Sequence, residues 1–241
     1  MTDAAWSVSG ALNFRDVGGL PAGSGVTRSG VLFRSGNLAR LDDAGRATLR
    51  ELGLRRVIDL RADDEIALEP SLVEGLGLET LRVPLFLGSA TSFFERDVGL
   101  DDFYRSMLDE AADRVVEVVR GVLADQPVLV HCTVGKDRTG VTVALTLAAA
   151  GVEEDAVIAD YARTEALLPA RRNAQVLAYL RAQHPEARYL EELATKSPAA
   201  AMRTLLDGLR ARYGAPVEFL RAHGLADDEI AELGAVLVRG D

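Results

Sequence analysis

The sequence predicts an α/β fold, a mainly parallel central sheet flanked by helices with an all-helical C-terminal part. Three observations predict it. Short β-branched apolar runs, Arg56–Leu60 and Val128–Val130 among them, alternate with helix-period segments through the first 150 residues. Strands separated by helical crossovers pair in parallel, wound right-handed. After Gly151 only helical segments follow. With 241 residues, 48% apolar and 27% charged, a full core is expected. We expect one domain over 1–241, divided into an arm (1–12), an α/β core (13–150) and a helical part (151–241).

Taken in order, 1–12 reads as a lightly ordered arm. Asn13–Gly19 ends in a glycine pair and Pro21–Gly25 is turn-rich. Val31–Phe33 is a short strand. Leu41–Leu52 is a helix, with Asp42 or Asp43 near its start and Gly53 just past its end. Arg56–Leu60 is apolar at nearly every position, which suits an interior strand of a parallel sheet. Ala62–Leu68 is a short acidic helix, and Glu79–Val83 a strand stopped by Pro84. Phe93–Leu108 is expected to be irregular. Leu108–Leu123 is an amphipathic helix, and Val128–Val130 the central strand. The Ala/Thr-rich run Val141–Gly151 reads as a buried helix, too short to span a bilayer. Helices are then expected at Glu153–Ala166, Ala170–Ala182, Glu186–Leu193, Pro198–Arg212, Pro216–His223 and Asp227–Val238, the last with Asp227 as N-cap.

Between the central strand and the buried helix stands HCTVGKDRTG, His131–Gly140, with the only cysteine of the chain. A thiol attacks as its thiolate, which helix N-termini and nearby cations favour. A helix opening near Arg138 turns its unpaired N–H groups and positive end towards the loop. A curl of successive amides, with Gly135 supplying the unusual dihedrals, is an anion-binding nest. Thr133, Val134, Gly135, Lys136, Asp137 and Arg138 are the expected phosphate-binding residues in a loop over 131–139. Arg138 brings a planar fork matched to two phosphate oxygens. Thr139 can donate its hydroxyl to the sulfur. The chemistry this allows is two-step phosphoryl transfer, with Cys132 attacking phosphorus and water hydrolysing the thiophosphate. The expected catalytic residues are Cys132, Arg138, Asp137 and Thr139, with no cofactor and no metal. His131 would steady the loop by hydrogen bonds.

HCTVGKDRTG resembles the HC-x5-R-[ST] loop of the cysteine-dependent protein tyrosine phosphatase superfamily. Its GKDR interior is similar to a bacterial subgroup, and Asn13–Gly19 (NFRDVGG), Phe33-Arg34-Ser35 and Ile58–Arg61 (IDLR) resemble that subgroup in the same order. The resemblance implies activity on phosphotyrosine, with phosphoserine/threonine and phosphoinositides as further substrates. It places Phe14, Arg15 and Asp16 beside the site as substrate-binding residues with Lys136. Phe14 would stack on an aryl phosphate or else plug the sheet. Asp16 would orient Arg138 or Lys136, or else pair locally with Arg15. The subgroup also implies a mobile helical lid, expected within 171–213. Poor leaving groups need a general acid. Asp137 is the first choice; Asp97, Asp101 and Asp102 are the alternative, since other superfamily members supply the acid from an upstream loop.

A net charge of −10 without a basic patch argues against nucleic acid as a partner and makes positive charge at the loop a local matter. Lys136 and Lys196 are the only lysines, so a lysine inside the loop stands out. The expected partners are phosphotyrosine proteins or phosphoinositides as substrates, with no stable membrane insertion. Oligomeric state stays open. A lone cysteine excludes an internal disulfide. Residues 1–12 carry neither a basic start nor an apolar stretch, so the cytoplasm is expected, with leaderless export left open. Two other classes compete: a non-catalytic phospho-binding module and a rhodanese-like sulfurtransferase.

Overall fold

The structure, a computed structural model, describes residues 6–85 and 97–240. Its strands are β1 (Arg15–Asp16), β2 (Pro21–Ala22), β3 (Gly25–Thr27), β4 (Leu32–Ser35), β5 (Arg56–Asp59), β6 (Glu79–Arg82), β7 (Val128–His131) and β8 (Val238–Arg239). Five form one sheet in the order β1-β4-β7-β5-β6. The last four are mutually parallel, and β1 runs antiparallel to β4. Leu129 of β7 is opposite Phe33 on one side and Val57 on the other.

The period-2 alternation of these strands sorts their side chains onto two faces. Leu32, Ile58, Val128 and Val130 belong to the larger core. Phe33, Val57 and Leu129 belong to a second core with Val8, Phe14 and Leu49. A helix α1 (Asp43–Glu51) contributes Leu49 to that second core. Asp42 caps it by accepting the Gly45 N–H at 2.8 Å.

The larger core is built with helices. After α2 (Asp63–Leu68) come α3 (Leu100–Ala124), α4 (Asp137–Ala149), α5 (Glu154–Leu167), α6 (Ala170–Gln183) and α7 (Leu190–Thr195). The chain closes with α8 (Ala199–Tyr213), α9 (Pro216–Ala222) and α10 (Asp227–Leu237). Helix α4 buries every residue from Arg138 to Leu147, with α3, α5, α9 and α10 packed on it. Its polar residues tolerate this because Thr142 and Thr146 donate back to the carbonyls of Arg138 and Thr142, at 2.8 and 2.7 Å. Among the described residues no helix is long and apolar enough to cross a membrane.

Several expectations are corrected. The helix expected from Leu108 begins at Leu100, so 100–108 is not irregular; residues 93–96 lie outside the described residues. Leu100, Phe103, Tyr104 and Met107 bury one helical stripe, and a non-helical Ala111 (φ −131°, ψ 25°) separates it from the predicted half. Within the expected loose arm, Val8 is buried and Ser9 donates to Asp42 at 2.6 Å. The turn-rich segments form β1–β3, and β8, expected as a helix end, pairs with β3. Helix α7 starts at Leu190, not Glu186, because Asp97 accepts the N–H groups of Arg188 and Tyr189 at 2.6 and 3.3 Å. Ala226, not Asp227, is the cap of α10; Glu229 accepts its N–H at 2.8 Å, while Asp227 pairs with Arg221 at 2.7 Å.

Candidate active site

Cys132 follows the C-terminal end of β7, and α4 opens five residues later. The thiol is 3% exposed, and the Gly135 N–H donates to Sγ at 3.3 Å. The loop curls tightly enough that only glycine fits at 135: φ is +73°, and an added Cβ would lie 2.3 Å from the Ser35 carbonyl oxygen. Outside the curl, the Gly135 carbonyl accepts from Asn13 Nδ2 at 2.9 Å and Arg34 at 3.0 Å. In a trans peptide the N–H opposes the C=O, so a carbonyl held outwards turns the next amide inwards. The NFRD and FRS segments therefore shape the nest from behind.

Arg138 sits in the first turn of α4, held by a residue that sequence reasoning missed. Glu65 of α2 accepts from both arms of the guanidinium, at 2.6 and 2.8 Å. It also takes the Ala62 N–H at 3.0 Å and the Thr133 hydroxyl. Thr133 accepts a further Arg138 bond at 3.1 Å. Burial pushes the Glu65 carboxyl up, but Arg138, Thr133 and the Ala62 amide outweigh it and bring it down to about 2. Burial works against the Arg138 charge; Glu65, Cys132 and Asp137 nonetheless hold its pKa above the ordinary value. No local signal marked Glu65, since α2 reads only as a short acidic helix and Glu65 lies 73 residues from Arg138 in sequence.

Asp137 is the first residue of α4. Its Oδ1 accepts from Tyr104 Oη at 2.7 Å and lies 2.8 Å from Lys136 Nζ. Tyr104 is fully buried and also bonds Tyr161 Oη at 2.7 Å. Burial, with Asp137 beside it, raises the Tyr104 pKa well above its ordinary value, so the phenol remains a donor. Lys136 is no solvated loop residue: it is 1% exposed, and its Nζ donates to the Lys196 carbonyl at 2.8 Å.

The upstream acids are elsewhere. Asp97 pairs with Arg188 at 2.8 Å. Asp101 and Asp102 are exposed in the first turn of α3, where Asp102 pairs with Arg105 at 3.0 Å. None of the three lines the cavity over Cys132, whereas Asp137 does.

His131 is fully buried, its Nδ1 3.3 Å from the Cys132 carbonyl and its Nε2 3.5 Å from Asp59 without a hydrogen bond. Burial outweighs the pull of Asp59 and pushes the imidazole below its ordinary pKa. Thr139 Oγ1 is buried with no hydrogen-bond partner among the described residues, so the expected bond to sulfur is not formed.

The N-terminal motif residues are not brought to the substrate side. Phe14 stacks on Phe33 with centroids 5.5 Å apart, 8% exposed, and plugs the second core. Arg15 pairs with buried Asp160 at 2.7 Å, and Arg34 with the same carboxylate at 2.6 Å. Burial and the Arg34 charge lower the Arg15 pKa to about 10, against the pull of Asp160. Asp16 accepts the N–H groups of Gly18 and Gly30, at 2.8 and 2.6 Å, and so shapes a turn. Glu65 and Thr133 do the orienting of Arg138 expected of Asp16. Arg61 pairs with Asp59 at 2.7 Å. Asp160→Ala would strand two buried guanidinium groups and is expected to cost about 3–5 kcal/mol. Urea unfolding measures this; a loss under 1 kcal/mol would contradict it.

The floor of a cavity of about 300 Å³ is formed by Cys132–Val134 and Lys136–Arg138. Phe103, Val176, Leu180 and Leu193 form apolar walls, the last three from α6 and α7. Among the described residues no group of three or more His, Cys, Asp or Glu could hold a metal ion.

The sequence matches the tyrosine phosphatase family over residues 6–239. It is 34% identical over 268 residues to the triple specificity protein phosphatase PtpB of Mycobacterium tuberculosis, covering 97% of this chain and 93% of that protein. It is 29% identical over 222 residues to a tyrosine-protein phosphatase of Nostoc commune, covering 84% of this chain and 72% of that protein. The core catalytic domain of the PP-IP phosphatase SIW14 from S. cerevisiae is similar at 19% identity and a TM-score of 0.41, covering 76% of this chain and 90% of that one. With a cysteine and arginine in one loop and a family match across nearly its whole length, the chain belongs to the tyrosine phosphatase family.

Proposed function

We propose that the chain hydrolyses phosphotyrosine in proteins through a covalent cysteinyl phosphate on Cys132. Family membership makes it a phosphoric monoester hydrolase. One observation carries the assignment of roles: Cys132, Arg138 and Asp137 line one cavity, with Gly135 donating into the sulfur from behind.

The phosphoryl oxygens lie in the amide nest from Thr133 to Arg138, and Arg138 adds its guanidinium charge. Sγ attacks phosphorus as the ester P–O bond breaks, and Asp137 passes its proton to the departing oxygen. Tyr104 and Lys136 both engage Oδ1, which leaves Oδ2 for that transfer. In the second step Asp137 takes a proton from water as its oxygen attacks phosphorus, and the thiolate leaves. The unpaired Thr139 hydroxyl then turns to the sulfur. Helices α6 and α7 act as a cover over the cavity. Triple specificity, by which the mycobacterial relative is named, extends the reading to phosphoserine/threonine proteins and phosphoinositides as further substrates.

The test is leaving-group dependence. Asp137→Asn is expected to slow a phosphoserine peptide by about 10²–10³-fold and 4-nitrophenyl phosphate by less than about tenfold. Equal losses on both would remove Asp137 as the acid. A panel of phosphotyrosine peptide, phosphoserine peptide and short-chain phosphoinositides, run with wild type and Lys136→Ala, ranks the substrates. No turnover of the phosphotyrosine peptide would overturn the reading.

A further inference from the structure

The two-step hydrolysis leaves one positive charge at the cavity unused. Arg172, in the first turn of α6, lines the same cavity as Cys132. Its guanidinium is half-buried, and its hydrogen bond is to the neighbouring Asn173 Oδ1 at 3.0 Å. No carboxylate among the described residues pairs with it, although Arg181 and Arg188 beyond it pair with Glu191 and Asp97. Burial lowers its pKa, with no charged neighbour contributing. A cation withdrawn from water without a counter-ion is costly. It becomes favourable when a ligand brings the anion.

Helix α6 as a whole agrees. It carries Arg171, Arg172 and Arg181 and no Asp or Glu, in a chain of net charge −10. Among the described residues the cavity lining carries Lys136, Arg138 and Arg172 against one carboxylate, Asp137, so positive charge prevails there and favours substrates with more than one negative charge.

The walls select the body that bears those charges. Phe103, Val176, Leu180 and Leu193 offer apolar surface between the phosphate-binding floor and solvent. A polyol ring would lay hydroxyls against these apolar side chains, at a cost for each left unpaired. An aromatic ring buries well and places its peptide at the rim.

We propose that Arg172 is a specificity residue that reads a second negative charge on the substrate, the carboxylate of an acidic residue flanking a phosphotyrosine. This rests on the phosphatase reading above. Arg172 touches no reacting atom, so its effect falls on KM and not on kcat. A charge-assisted contact of this kind gives about a tenfold preference.

The experiment uses two phosphotyrosine peptides that differ only in Glu against Gln beside the phosphotyrosine, with wild type, Arg172→Ala and Arg172→Lys. Wild type is expected to prefer the acidic peptide about tenfold in kcat/KM. Arg172→Ala is expected to bring that ratio to about one by raising KM for the acidic peptide, and Arg172→Lys to restore part of it. Thermal unfolding and circular dichroism show whether the variants are folded. A preference that persists in folded Arg172→Ala overturns the proposal, and so do equal losses on both peptides. A defect confined to a short-chain phosphoinositide overturns it too, by assigning the arginine to a lipid headgroup. Failure of wild type to hydrolyse either peptide defeats the underlying reading instead.

Discussion

Cys132→Ser is expected to lower turnover of 4-nitrophenyl phosphate by at least about 10⁴-fold, because a hydroxyl at this position lacks the nucleophilicity of a thiolate. The fold should survive. The side chain is small and 3% exposed, and a serine oxygen can accept the Gly135 N–H that now points at Sγ. Arg138 remains held by Glu65, so the anion site persists without its nucleophile. The variant is therefore expected to unfold within a few degrees of wild type and to bind a phosphotyrosine peptide in calorimetry. Activity within tenfold of wild type would remove the covalent mechanism.

Glu65→Gln is expected to cost about 10²-fold in kcat/KM, although Glu65 touches no substrate. An amide places N–H donors against guanidinium N–H donors where two carboxylate oxygens now accept at 2.6 and 2.8 Å. Arg138 then loses its charged two-oxygen anchor, and a displacement of about 1 Å suffices for a loss of that size. Stability should change with a defined pH dependence. The Glu65 carboxyl falls from 4.5 to about 2 on folding. Its contribution, about 3 kcal/mol, is present above about pH 4.5 and is lost as pH falls towards 2. Wild type and Glu65→Gln should thus differ in urea unfolding at pH 7 and converge in acid. Parallel pH profiles for the two proteins would contradict the ion pair.

How much of this was legible in the sequence follows from which forces are local. Arg56–Leu60 and Val128–Val130 declared interior strands because residues buried on both faces leave an apolar run. Thr142 and Thr146 did not obscure α4, since their hydroxyls are satisfied one turn back. Residues 100–107 do not read as helix because their buried stripe is interleaved with Asp101, Asp102 and Arg105 and breaks phase with the following half at Ala111. The two-residue strands at 15–16 and 21–22 carry no periodicity at all; their partners at 33–34 and 25–26 make them strands.

The site divides in the same way. By itself the sequence determined the parallel α/β order and the HCTVGKDRTG loop, with Cys132, Arg138 and Asp137 adjacent, because a strand, a tight curl and a helix start are consecutive in the chain. Tertiary structure alone decided what surrounds them. It put Glu65 on Arg138, Tyr104 on Asp137 and Arg172 over the cavity, and turned Phe14, Arg15 and Asp16 inwards as supports. The physical reason is one of range. Backbone preference and burial pattern act between near neighbours in sequence. Pairing of charges and donors is settled by whichever partners folding brings within about 3 Å, and those partners come from other helices and strands.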